Sequence, residues 1–271
     1  MSGLKLLVFL FVALLVQKAE CETIHMIPHG GSCQGVPTGP DLRCLTLQQY
    51  LSNPSLSSDI RIELQPGNHT LNGSESLVVR DVTNFTIVSN GGILDCSENI
   101  GHHIIQFINI RNVHIGSTTV TDCQCNVTRV NELVVEGGSF RGITTTRPAF
   151  TLEDVTSAVF SEWSCSDYND RCFGLTRSTL HVSDSTFNNN GDGTGVGVMS
   201  VGDSTVSVER CSFRNNRGNN GGVFYTSGGA GRRLTITNSS FSDNTATTNS
   251  GGVLHHDSGN TVFTILSLIH I

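Results

Sequence analysis

Charge is scarce in this chain. Asp, Glu, Lys and Arg make up 14% of the 271 residues, against roughly 25% in an average soluble protein, which excludes a coiled coil or a long charge-laced helix. Basic residues are the scarcer sign: 16 Lys and Arg face 23 Asp and Glu, for a net charge of −7. No basic stripe is available to neutralise a phosphate backbone, so nucleic acid is excluded as a partner. Aromatics are few at 6%, with one tryptophan. Long apolar runs are absent except Leu6 to Val16, too short to span a bilayer, which takes about 20 apolar residues. What fills the space is 29 glycines, many Ser, Thr and Asn, and short β-branched runs, a composition that reads as all-β.

The one apolar run follows Lys5 and ends at Ala19-Glu20-Cys21, the layout of a secretory signal peptide over residues 1–21. The mature chain is therefore expected to be secreted or on the extracellular face of the cell surface. Sequons at Asn68, Asn72, Asn84, Asn126 and Asn238 agree with that compartment. So does cysteine usage: of nine cysteines, eight remain after cleavage beyond Cys21, an even number suited to disulfides. Cys123-Gln124-Cys125 is a lone C-x-C without the partner spacing of a zinc site.

Residues 22–59 form a cap region. Residues 22–44 read as irregular, with Cys33 and Cys44 as a candidate staple, and Asp41 as N-cap of a short helix over 42–51 that ends at Asn53-Pro54. Beyond it three columns of residues return together. The first is Val113, Leu133, Ala158, Leu180, Val206 and Leu234. Two residues later come Ile115, Val135, Phe160, Val182, Val208 and Ile236, on the same face by period two. Five residues on stand Val120, Phe140, Cys165, Phe187, Phe213 and Phe241, at intervals of 20 to 28 residues. Phe85 and Ile87 precede the series; Phe263 and Ile265 follow it. Further short strands are expected at 77–79, 104–107, 150–152, 198–201, 223–225 and 253–255. With no helix between them, successive circuits must stack strand on strand, and residues 60–265 read as a parallel β-helix of about eight coils.

Turn residues repeat as well. Phe187, Phe213 and Phe241 are each followed three residues later by Asn190, Asn216 and Asn244, placed to form a side-chain ladder and to tolerate a left-handed corner. Gly221-Gly222, Gly251-Gly252 and Gly197 open the next strands. The series Ser212-Phe213-Arg214-Asn215-Asn216, Gly221-Gly222-Val223, Ser240-Phe241-Ser242-Asp243-Asn244 and Gly251-Gly252-Val253 resembles the FxxN and GG[AIV] repeats of chlamydial polymorphic outer-membrane proteins and of secreted β-helix proteins of sponges and other simple animals. The likeness covers about 44–265. It implies an all-β, right-handed, single-stranded parallel β-helix, a pectin-lyase-like solenoid, and is specific for fold rather than activity.

No catalytic motif accompanies the fold. The dispersed Asp95, Asp122, Asp154, Asp184 and Asp203 show no calcium or acid–base grouping, and Gly101-His102-His103 lacks the downstream basic motif of polysaccharide-cleaving relatives of the fold. Asn188-x-Asn190-x-Asp192-Gly193 opens like a calcium loop but has Met199 at its twelfth position. His255-His256-Asp257 reads as a solvated strand end whose neighbours point to opposite faces. Trp163, Tyr168 and Tyr225 read as packing rather than a sugar platform, and Arg232-Arg233 as an exposed loop. Cys96 with Cys123, spaced by about one circuit, and Cys165 with Cys172 are disulfide candidates; Cys211 and Cys125 are left unassigned.

The expected function is a non-catalytic β-helix presenting a polar, glycosylated surface for adhesion or recognition, with glycans or cell-surface proteins as partners and no cofactor or metal. The alternatives are a carbohydrate-active enzyme, lyase or hydrolase, of the same fold, and a structural spacer in a larger surface protein. Residues 266–271 depart from the turn pattern, so the chain is expected to be a truncated fragment that continues with further circuits.

Overall fold

The computed structural model describes residues 22–27, 42–46, 49–50, 57–71, 76–97, 104–142, 147–228, 232–248, 251–257, 260–266 and 269–270. The chain is a parallel β-solenoid. Among the described residues three sheets of eleven, nine and eight strands run along it, with a fourth of two strands, and every strand pair is parallel. Each circuit visits the first, second and third sheet in turn, for example through Glu132–Glu136, Ser139–Arg141 and Phe150–Glu153.

The residue columns are the registers of these sheets. Val113, Leu133, Ala158, Leu180, Val206 and Leu234 are successive partners in the first sheet, as are Ile115, Val135, Phe160, Val182, Val208 and Ile236. Val120, Phe140, Cys165, Phe187, Phe213 and Phe241 are partners in the second. All are buried, and they merge into one core along the axis. Aromatic rings concentrate in its middle, where Trp163 contacts Phe140, Phe150, Phe160, Phe173 and Phe187. Phe213 lies between Phe187 and Phe241 with ring centroids 4.7 and 4.9 Å away and planes within 5° and 3° of parallel. Offset stacks at the rung spacing are the geometry that identical rings adopt on adjacent strands.

Corners turn on a single residue. Asp81, Asn109, Arg129, Asp154, Arg177 and Asp203 take positive φ where the third sheet passes to the first. Glu162, Asp184, Arg210 and Asn238 do so between the first and second sheets, and Asp167, Asn189, Asn215 and Asp243 after the second. The left-handed residue is thus the one before Asn190, Asn216 and Asn244, not these asparagines themselves. The reason is steric and polar at once: the outward corner residue absorbs the turn, and its successor points inward to meet backbone groups that strand pairing cannot reach.

Those inward plugs form ladders. Asn216 Oδ1 accepts from the Asn190 backbone N–H and from Asn190 Nδ2, both at 3.0 Å, while Asn216 Nδ2 donates to the Phe187 carbonyl and to Asn244 Oδ1, again at 3.0 Å. Asn190 and Asn216 are wholly buried. Serines do the same at other corners: the Oγ atoms of Ser178, Ser185, Ser204 and Ser239 accept from the N–H groups of Val155, Trp163, Ser178 and Cys211. Gly197, Gly222 and Gly252 follow these turns in neighbouring circuits, and a Cβ on Gly197 would meet the Gly222 carbonyl oxygen at 1.8 Å. Backbone-to-backbone contact leaves no space for a side chain there.

The start of the molecule differs from expectation. Glu22–Ile27 is a strand, paired to Asp59–Leu64, and Leu42–Thr46 is a second strand on its other side. A helix beginning at Asp41 is therefore corrected: the alternation of Thr23 and His25 with Ile24 and Met26 offers a parallel edge, and residues 42–46 pair with it. Helix among the described residues is confined to Gln49–Tyr50. Its cap is Thr46, whose Oγ1 accepts from the Gln49 N–H while Gln49 Oε1 accepts from the Thr46 N–H, a capping box. Two strands of the third sheet, Gln124–Thr128 and Phe173–Thr176, complete circuits between those foreseen. At the other end Ile269–His270 pairs with Ser240 and Phe241 in the second sheet. Residues 1–21 lie outside the described residues.

The stacked column sets an expected hierarchy in chemical denaturation. Phe213→Ala, which leaves a void between two parallel rings, should cost about 3 to 5 kcal/mol. Asn216→Ala, which orphans buried donors on Asn190, should cost about 1 to 3 kcal/mol. Unchanged unfolding of Phe213→Ala would contradict the packing of this column.

Candidate functional site

Inward positions are filled by the core, so chemistry is restricted to outer strand faces and corners. The corners hold most of the acidic residues that looked dispersed in sequence. Asp122, Asp154, Asp184 and Asp203 are all left-handed corner residues, which explains their type by backbone need. Several corner aspartates, Asp167 among them, are tied to arginines on an adjacent circuit. Arg177 Nε and Nη2 donate to Asp154 at 2.6 and 3.0 Å, Arg210 Nε and Nη2 to Asp184 at 2.7 and 2.8 Å, and Arg141 Nε to Asp167 at 2.9 Å. Hydrogen bonds from Arg177 and Arg210 hold the Asp154 and Asp184 carboxyls below the usual carboxylate range. They are thus ionised and engaged, poor candidates for proton transfer at neutral pH. Asp95 accepts from the Ser97 N–H at 2.9 Å.

One groove opens on the outer face of the first sheet. It encloses about 390 Å³ and is lined by Asn84, Thr86, Asn112, His114, Glu132, Val134 and Glu136, with Phe85 and Val113 beneath. Register places the lining: Asn84, Asn112 and Glu132 are successive partners, as are Thr86, His114 and Val134. Along the first row Asn84 Nδ2 donates to Asp59 Oδ1 at 2.6 Å, and Asn112 Nδ2 donates to Asn84 Oδ1 at 2.7 Å. At the far end His114 Nε2 lies 3.6 Å from Glu136 Oε2. Glu132 and Glu136 stand four residues apart on one strand, roughly 13 Å at the rise of a β-strand. An acid and base flanking a glycosidic bond stand about 5 to 9.5 Å apart. The groove offers hydrogen-bonding chemistry over an apolar floor rather than a carboxylate pair. Sequence reasoning missed it, although the outward places of the repeat columns carried the signal.

Three of the sequons, at Asn68, Asn84 and Asn126, share one geometry. In a strand, N-x-S/T sets the asparagine and the hydroxyl residue on the outer face with the middle residue inward. Asn68 is exposed on the second sheet, with His69 buried beneath it; Asn126 is half-buried on the third; Asn84 is half-buried in the groove; Asn238 is exposed at a corner. Asn72 lies outside the described residues.

Other sequence candidates resolve individually. Trp163 and Tyr168 are buried, and the Tyr168 hydroxyl donates to the Cys123 carbonyl at 2.9 Å. Tyr225 stands on the outer face of the third sheet, stacked on His255 at 5.8 Å. His256 points the other way, meeting Phe263 edge-on and bonding to Thr226 Oγ1 at 2.8 Å. Of the calcium-like run, Asn190 is spent in its ladder, and Asp192 Oδ1 accepts from the Thr194 N–H and hydroxyl. Arg232 is not in an exposed loop. It begins the strand Arg232–Thr237, is buried, and donates to the Gly228 carbonyl. Its position in the inward-facing rhythm of that strand forces this, and its long stem suits burial while the head reaches backbone. His102 and His103 lie outside the described residues.

Cys96–Cys123 joins neighbouring circuits and Cys165–Cys172 closes a loop within one. Cys33 lies outside the described residues, and Cys44 pairs through its backbone with His25. Cys125 and Cys211 are buried and free. Burial pushes the Cys125 thiol far up and Cys211 up to about 11, which leaves neither a thiolate nucleophile at neutral pH. Among the described residues no group of three or more His, Cys, Asp or Glu is placed to hold a metal, and no helix is long and apolar enough to cross a membrane.

No protein-family model matches the chain, and neither a curated protein nor a solved structure is significantly similar to it.

His69 yields a pH prediction. It is buried, its Nε2–H donates to the Gln65 carbonyl at 2.8 Å, and its Nδ1 has no partner among the described residues. Burial pushes its pKa below the ordinary 6.5. The unfolded chain therefore takes up the proton first as pH falls. Stability from the neutral ring is fully present above about pH 6.5 and declines below it, by at most about 1.4 kcal/mol per pH unit for one proton. Denaturation at pH 7 and pH 5 should show this decline, and His69→Gln should flatten it. An equal slope in the variant would contradict the assignment.

Proposed function

We propose that the chain is a secreted or cell-surface, non-catalytic β-helix that presents a polar, glycosylated outer surface for adhesion or recognition of glycans or cell-surface proteins. The observation that carries this reading is the character of the outward rows. In the first sheet the row through Val159, His181, Ser207 and Thr235 runs unbroken across four circuits, and in the third Thr151, Gly174, Ser200 and Tyr225 do the same. Flat rows of short, mostly polar side chains suit broad, shallow contact rather than enclosure of a reacting bond. Several arginine–aspartate pairs sit at corners, and the acceptor asparagines of the strand sequons face outward. The two disulfides and the absence of a membrane-spanning helix among the described residues are compatible with an extracellular location.

The discriminating experiment uses the secreted protein on a glycan array and on intact animal cells, beside a panel of plant, algal and animal polysaccharides. Retention on a glycan class or on cells, without release of reducing or unsaturated ends, is the expected result. Product release abolished by Glu132→Gln or Glu136→Gln would establish a carbohydrate-active enzyme instead. Failure to bind any glycan or cell would favour a structural spacer.

A further inference from the structure

The groove on the first sheet has a covalent acceptor in its own wall. Asn84-Phe85-Thr86 is a sequon, Phe85 is 1% exposed, and Asn84 and Thr86 both line the groove. We propose that the groove is the seat of the first sugar of a glycan attached to Asn84, so that the carbohydrate is packed against the solenoid rather than free in solvent. The inference rests on the secretory reading above.

Three features of the geometry carry it. First, attachment is compatible with the bonds Asn84 already makes. A glycosylated amide keeps one N–H and its carbonyl, so Nδ2 still has a proton for Asp59 Oδ1 and Oδ1 still accepts from Asn112. Second, the direction is set. A secondary amide prefers the trans form, which places the sugar's anomeric carbon on the same side of the C–N bond as the carbonyl oxygen. Asn84 Oδ1 faces Asn112 on the following circuit, and the groove extends that way, across His114 to Val134 and Glu136. Third, size and lining fit. A volume of about 390 Å³ sits at the small end of the range for ligand sites, roughly 300 to 1,000 Å³. Val134 offers an apolar floor for the ring's C–H face, and Asn112, His114, Glu132 and Glu136 offer partners for its hydroxyls.

In the attachment, Asn84 Nδ2 forms a bond to the anomeric carbon of an oligosaccharide carried on a lipid pyrophosphate. The anomeric C–O bond breaks, the lipid pyrophosphate leaves with the electron pair, and the amide gives up one proton to solvent. Because Nδ2 is hydrogen-bonded at 2.6 Å in the folded strand, the transfer precedes folding. The seated sugar then bridges three circuits of the first sheet, those of Asn84–Ser89, Asn112–Gly116 and Glu132–Glu136.

The test is made on the full chain secreted by animal cells. Glycopeptide mass spectrometry should find Asn84 occupied. Thr86→Val, which destroys the sequon, should lower the melting temperature by about 2 to 4 °C relative to Thr86→Ser, which keeps it, the shift that about 1 kcal/mol gives in a chain of this size. Trimming with an endoglycosidase that leaves the first sugar should preserve the melting temperature, and His114→Ala should reproduce the loss with Asn84 still glycosylated. Unmodified Asn84 beside modified Asn68 and Asn238 overturns the inference and leaves the secretory reading standing. Equal melting temperatures of the two Thr86 variants, with Asn84 occupied in Thr86→Ser, overturn the packing. All three asparagines unmodified overturns both readings.

Discussion

The backbone hydrogen bond between one circuit and the next is the interaction to which everything else in this molecule answers. Parallel strands about 4.8 Å apart satisfy one another's N–H and C=O groups only while every circuit follows the same path. Insertions are therefore confined to corners, and residues at equal places in successive circuits become lasting neighbours. Ring stacks such as Phe187, Phe213 and Phe241 follow from that enforced proximity. So does the division of labour at corners such as Arg177-Ser178 and Asn215-Asn216, where an outward residue takes the left-handed conformation and the next turns inward with an oxygen or amide for the stranded N–H of the adjacent circuit. A buried N–H left unmet costs about 1 to 3 kcal/mol, which is reason enough for Ser and Asn to recur there.

This constraint also explains what was legible in the sequence. First-sheet strands carry two inward residues two apart, so Leu133 with Val135 or Val206 with Val208 announce themselves by alternation, and the fold follows from their recurrence. Second-sheet strands such as Ser139–Arg141 hold one inward residue, and only the constant offset from the first sheet reveals them. The strands at Gln124–Thr128 and Phe173–Thr176 escaped because each lies just after a disulfide cysteine in a short run without a glycine pair. Arg232 was misplaced because charge is a poor guide where a strand's phase decides burial. Residues 42–46 read as helical by their spacing, yet a neighbouring edge strand outweighed that local preference. The groove was invisible for a different reason: it is made of outward residues, whose types the fold leaves nearly unconstrained.

Functional content is accordingly decoupled from architecture. A core that uses every inward position and corners that use most of the paired charges leave the outer rows as the only place where one such solenoid can differ from another. The proposed presentation of a polar, sugar-bearing surface is a reading of those rows alone. In that setting Tyr225 and the groove beside Asn84 are the distinctive marks of this chain.

Cys96–Cys123 has a mechanical meaning. A solenoid pulled from its ends yields by peeling circuits one after another, each releasing its full contour as its strands detach. A covalent link between adjacent circuits interrupts that sequence, because the chain between Cys96 and Cys123 cannot be drawn out however far the strands on either side have come away. Tension reaching this point from the amino-terminal side passes across the bond to the circuits beyond. The disulfide acts as a stop in an otherwise unwinding spring, and the extension it withholds is that of one circuit.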